Sequence, residues 1–97
     1  MASSQEKYRF EGKNDTQVYN AALQAIPQAG LQVWKTRDLA RLVLAKGTVD
    51  GQEVRCNIAV SMVDGNTTIS AEAESLSEEK MNEVIQNIKA QLDAFLG

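Results

Sequence analysis

The chain contains no histidine. That removes the commonest general base, His-based catalytic triads and most zinc ligand sets. Cysteine occurs once, as Cys56, so no internal disulfide can form, and nothing suggests a disulfide-stapled secreted scaffold. Proline also occurs once, at Pro27, and aromatic residues make up only 5% of the chain. Ten basic residues stand against thirteen acidic ones, a net charge of −3, which gives no support to a nucleic-acid binder relying on phosphate attraction. Nucleic acid is therefore not an expected partner. No apolar run approaches the roughly 20 residues that span a bilayer, so no transmembrane segment is expected. The start, MASSQEK, lacks the basic-then-apolar order of a signal peptide. The compartment is left open between the cytoplasm and, if a signal has been removed, the periplasm.

What is present fits one domain over residues 1–97, with 43% hydrophobic residues to build a core. Residues 1 to 5 are small and polar and are expected to be frayed. Lys7-Tyr8-Arg9-Phe10-Glu11 alternates polar and aromatic, the period of a half-buried strand. Asn14 or Asp15 can cap a first helix whose stripe is Val18, Ala22, Ala25, Ile26 and Ala29. Pro27 predicts that this helix ends or loosens there, with Gly30 completing the exit. Strands follow at Leu31–Thr36, Leu42–Val49, about Glu53–Val63 and Asn66–Glu74. A last helix carries the stripe Met81, Val84, Ile85, Ile88, Leu92, Phe95 and Leu96, capped by Ser77. The fold class is thus α+β, in the order β-α-β-β-β-β-α, with one antiparallel sheet and both helices packed on one of its faces.

Asp50-Gly51 and Asp64-Gly65 both suit two-residue type I′ turns. The first predicts Val49 opposite Gln52, Ala45 opposite Cys56 and Val43 opposite Ile58. The second predicts Val63 opposite Asn66, Val60 opposite Ile69 and Cys56 opposite Ala73. Opposed residues share a face. One face then reads Val43, Ala45, Val54, Cys56, Ile58, Val60, Met62, Ile69, Ala71 and Ala73, and is the core side. The other carries Lys46, Arg55, Asn57, Ser61, Thr68, Ser70, Glu72 and Glu74, with Arg55 opposite Glu74.

Leu42 and Leu44 do not fit this pattern, because they fall on the outer face beside Asn57 and Ala59. Trp34 joins them if the loop around residues 37 to 41 has an odd number of residues. Either the third strand is bulged, or solvent sees two leucines, or the five residues form a patch for a partner or a second subunit. Tryptophan is the natural anchor of such a patch.

Catalytic signals are weak. Cys56 sits among apolar neighbours, where a thiol is inert. Glu72 and Glu74, with Arg55, could form an acid–base pair only in a concave pocket. Glu78, Glu79 and Glu83 match the helix dipole better than a metal site. Gly47, between Lys46 and Thr48, has strand context and not that of a phosphate loop. No cofactor and no metal are expected.

The element order, with VYNAALQAIPQAGLQV, AKGTVDG and ISAEAES marking its passages, resembles the repeat unit of the TATA-box-binding-protein fold. It also resembles small helix-grip domains, including one in a lipoprotein of the outer-membrane barrel-assembly machinery and bacterial lipoprotein-like domains of unknown function. The resemblance runs from Tyr8 to Leu96. Its DNA activity does not carry over, since that uses two fused copies and inserted phenylalanines on a basic surface, where this chain has one copy with Glu72 and Glu74. It implies binding through the open sheet face, or a small hydrophobic ligand held between the sheet and the last helix. The expected function is a non-enzymatic interaction domain that binds a protein partner or self-associates as a homodimer. A helix-grip ligand domain is the alternative, and it requires an internal cavity.

Overall fold

Five strands of alternating sequence form one antiparallel sheet, and two amphipathic helices bury its apolar side. The computed structural model describes residues 2–64 and 66–97. The elements are β1 (Ala2–Arg9), α1 (Asp15–Gln28), β2 (Gln32–Arg37), a 3₁₀ turn (Asp38–Ala40), β3 (Leu42–Val49), β4 (Gln52–Val60), β5 (Asn66–Ala73) and α2 (Glu78–Leu96). The sheet order is β1-β5-β4-β3-β2, so α1 carries the chain from one edge strand to the other.

The first hairpin follows the predicted register, with Val49 opposite Gln52, Ala45 opposite Cys56 and Val43 opposite Ile58. Asp50 and Gly51 both have positive φ, 52° and 79°, as a type I′ turn demands. The second hairpin corrects the expectation. Val60 pairs with Thr67 and Ile58 with Ile69, so each β4 residue meets a partner two positions earlier than predicted. Ser61 donates its amide to the Asn66 carbonyl at 2.9 Å and closes a loop wider than two residues. The Ser61 hydroxyl accepts from Val63, and the Asp64 carboxylate accepts from Asn66 at 3.0 Å. Gly65, the second residue of the expected turn, lies outside the described residues. A shift of two leaves every side chain on its predicted face. Met62 is the exception, because it belongs to the loop and is exposed. Arg55 accordingly faces Glu72 and not Glu74.

Two further expectations are corrected. Residues 2 to 5 are not frayed, since Ala2–Gln5 continue β1 in register with Ala73–Ser70 of β5. Main-chain pairing holds a segment whose side chains gave no apolar signal. The Pro27 expectation holds: α1 ends at Gln28, one residue beyond the proline. Its exit is a Schellman arrangement completed by Gly30: Gly30, at φ 83°, donates to Pro27 and Leu31 donates to Ile26. Phe95, placed on the buried stripe of α2, is substantially exposed. The other cap expectations hold: the Asn14 and Gln17 side chains cap α1 reciprocally, and Ser77 accepts from the Lys80 amide at 3.1 Å.

The core is continuous. Ile58, Ile69 and Val43 from the sheet meet Met81, Ile85, Ile88 and Leu92 from α2 and Val18, Ala22 and Ile26 from α1, all essentially without exposure. Thr67 lies among them on the core side of β5, fully buried, and its hydroxyl has no hydrogen-bond partner among the described residues. An unmet buried hydroxyl costs about 1–3 kcal/mol. Thr67→Val keeps the branched shape and removes that cost, so it is expected to raise stability by about 1 kcal/mol in urea unfolding. A loss of stability would show that the hydroxyl has a partner.

Candidate functional site

The sheet face away from the helices can be read as a grid, because four ladders place its side chains in rows across the strands. One row reads Lys7, Thr68, Ala59, Leu42, Arg37. The next reads Gln5, Ser70, Asn57, Leu44, Lys35, and a third reads Ser3, Glu72, Arg55, Lys46, Gln32. Leu42 and Leu44 are half-buried and Asn57 and Ala59 exposed, all on the side opposite the helices.

Trp34 reaches the same face by a route that the sequence pattern did not show. The connection from Arg37 to Leu42 spans four residues, an even number, which alone would turn Trp34 inward opposite Ala45. A β-bulge intervenes: Val33 pairs with Ala45 and Lys35 with Leu44, leaving Trp34 as the extra residue. Val33 packs against the core, so its neighbour Trp34 points outward. There the Lys46 ammonium lies 6.0 Å from the centre of the indole, and Trp34 retains 48% exposure. The irregularity sits in β2, while the β3–β4 ladder runs unbroken from Leu42 to Val49. All five predicted residues, Trp34, Leu42, Leu44, Asn57 and Ala59, are therefore on one face. Lys35 and Arg37, which the four-residue connection sets opposite Leu44 and Leu42, were not expected there.

The turn between β2 and β3 is anchored to α1. Arg41 adopts a left-handed conformation, φ 52°, uncommon for a residue with a side chain. Its guanidinium donates to Asp15 at 3.0 Å and to the Asp38 carbonyl, and it lies 5.6 Å from the Tyr19 ring centre. The Tyr19 hydroxyl donates to the Asp38 carboxylate. Burial, and then that hydrogen bond, push the Tyr19 phenol above its ordinary range. This cluster fixes the start of β3 and hence Leu42. At the same end of the sheet three large apolar side chains stand in solvent: Leu39 at 92%, Val63 at 97% and Met62 at 58% exposure.

Arg55, Glu72 and Glu74 do line one open surface depression, together with Glu53. Arg55 is held by Glu53 of its own strand at 3.1 Å, and the three carboxylates share the same solvent-exposed setting. Acid–base catalysis needs two groups in unlike environments. The space between sheet and α2, where a helix-grip ligand would sit, is filled by Ile58, Ile69, Met81, Ile85, Ile88 and Leu92. Among the described residues, no cluster of three potential metal ligands occurs and no helix is long and apolar enough to cross a membrane.

The molecule is an α+β domain with one open sheet face. No protein-family model matches the chain, and no curated protein does. Solved structures share its fold. A protein from Nitrosospira multiformis is 13% identical, with a TM-score of 0.62 over 99% of this chain and 97% of its own. CalU16 from Micromonospora echinospora is 14% identical, with a TM-score of 0.56 over 98% of this chain and 70% of its own. At these identities the likeness concerns the fold alone.

Proposed function

We propose that this chain is a non-enzymatic interaction domain that uses its outer sheet face to bind a protein partner or a second copy of itself. One observation carries this function: the bulge in β2 aims the only tryptophan outward, beside two leucines on a face that the helices do not cover. An apolar anchor of this kind in a polar surround is the usual centre of a protein interface. The resemblance to single-copy TATA-box-binding-protein-like and helix-grip domains supports the choice of face. The filled space beneath α2 weighs against a ligand held inside.

Leu44→Asp tests the face directly. The substitution removes an apolar anchor and puts a charge that must be desolvated in its place, so partner or dimer affinity is expected to fall at least tenfold. Stability should change little, because Leu44 points away from the core. Sedimentation velocity on the wild type and the variant, with Trp34 fluorescence as the contact reporter, reads both effects. A wild type that stays monomeric at high concentration, with Trp34 emission indifferent to every candidate partner, would remove the proposal.

A further inference from the structure

The charge of the outer face differs from that of the whole chain. Overall, thirteen acidic residues exceed ten basic ones. Yet the two rows that contain Leu42 and Leu44 hold Lys7, Arg37 and Lys35 and no carboxylate. Lys46 stands directly below, over the indole of Trp34. Among the described residues none of these four cations makes a salt bridge, while Arg9, Arg41, Arg55, Lys80 and Lys89 all do. The nearest acidic residues on this face, Glu72 and Glu53, lie four and six positions along the strands from the Leu42 row, about 13 and 20 Å at 3.3 Å per residue. From the Leu42 row both distances exceed the Debye length of about 8 Å at physiological salt, so these carboxylates leave Arg37 unneutralised; Glu72 is only two positions, about 7 Å, from the Leu44 row, and at the other end Asp64 of the adjoining loop feels the charge of Lys7.

Resting on the proposed use of this face, we infer that its partner is a different polypeptide whose binding segment combines apolar side chains with carboxylates. A second copy fits less well. A two-fold axis sets a patch against itself, so a face whose leucine rows hold cations and no carboxylate meets a second face of the same sign. An acidic segment meets them with opposite charge, which speeds encounter and fixes register.

The grid also gives the segment its spacing. Along the upper row Arg37 is one strand from Leu42 and Lys7 is three strands away on the other side, so the two cations stand about 19 Å apart at 4.8 Å per strand. A segment that crosses the strands would need acidic residues about six positions apart if extended, or about thirteen if helical. Apolar residues would lie between them, nearer the Arg37 end. Leu39, Met62 and Val63 extend the apolar surface beyond this row, at the loop end of the sheet.

Random 16-residue peptides displayed on phage, selected on the wild-type protein and counter-selected on Leu44→Asp, test the inference. The enriched pool is expected to carry Asp and Glu at least threefold above the starting library, together with Leu, Ile or Phe. An enriched synthetic peptide should bind Arg37→Glu at least tenfold more weakly and weaken with added salt. Enriched peptides that are apolar but neutral or basic would overturn the inference and leave the face itself in use. Enrichment of nothing that depends on Leu44 would overturn both. A wild type that dimerises through Trp34 and Leu44 would overturn the inference alone, and so would anionic phosphatidylserine vesicles that bind through Leu39 and Val63 when no peptide does.

Discussion

Ile58→Ala is expected to remove about 3–4 kcal/mol of stability, near the middle of the range for truncating a fully buried aliphatic side chain. Ile58 has no exposure and sits on the central strand, flanked in register by Val43 and Ile69. Helices cover it from above, so the cavity left by three lost carbons has rigid walls on every side and collapses poorly. For a domain of this size the loss is a large part of the roughly 5–15 kcal/mol that separates folded from unfolded chain. It should lower the thermal midpoint by more than about 12 °C. The matched control is Leu44→Ala on the opposite face, which is expected to cost about 1 kcal/mol or less because that side chain is half in water. Urea unfolding of both variants reads the two faces independently of any partner. Similar costs for the two substitutions would mean that both faces are covered, and would undo the assignment of an open face.

The face assignment was legible from the sequence because two Asp-Gly pairs bracket one long alternating strand. Val43, Ala45, Val54, Cys56, Ile58, Val60, Ile69, Ala71 and Ala73 are all buried as that alternation requires. The register of β4 against β5 was less legible, since a DG pair looks the same whether it makes the whole turn or only part of a wider loop. The hydroxyl of Ser61, capping the amides at Val63 and Asp64, decides for the wider loop, and nothing in local composition announces it. Met62 went to the wrong environment for that reason. β1 was legible only where aromatic residues mark it. Its first half is Ala, Ser, Ser and Gln, and it is a strand because β5 offers an open ladder and not because of its own propensity.

The site was half legible. Leu42 and Leu44 declared themselves by breaking the alternation that their neighbours obey. Trp34 could not be placed by counting, because an even connection and a bulge each invert the parity and together restore it. The four-residue connection already pairs Lys35 with Leu44 and Arg37 with Leu42, and the bulge lies beyond them in β2, so the two features act separately. The connection charges the rim and the one extra residue exposes the tryptophan, and together they put anchor and cations on one face.

Raising the pH above 9 is expected to destabilise the protein through Cys56, an effect as large as the core truncation. The thiol lies between Ala45 and Ala71 on the covered face with 1% exposure, and burial pushes it from 9.0 up to about 12. Below pH 9 it keeps its proton in both the folded and the unfolded chain and contributes no pH dependence. Between about 9 and 12 the unfolded chain releases the proton and the folded one does not, so the unfolded state gains and stability falls with rising pH. The slope approaches 1.4 kcal/mol per pH unit, for a total of roughly 4 kcal/mol by pH 12. Tyr19 is also held above its ordinary value and adds a drift of the same sign at higher pH. Cys56→Ala isolates the thiol, since it keeps Tyr19 and removes only the sulfur. At pH 8 the variant should be the less stable of the two. By pH 11 the wild type is expected to have lost roughly 2–3 kcal/mol more than the variant in urea unfolding, enough to close or reverse the gap. Parallel pH profiles would mean that water reaches the sulfur in the folded state. The same burial predicts that a bulky aromatic disulfide reagent labels Cys56 at pH 8 only as fast as the chain opens, so labelling should speed up with urea in step with unfolding.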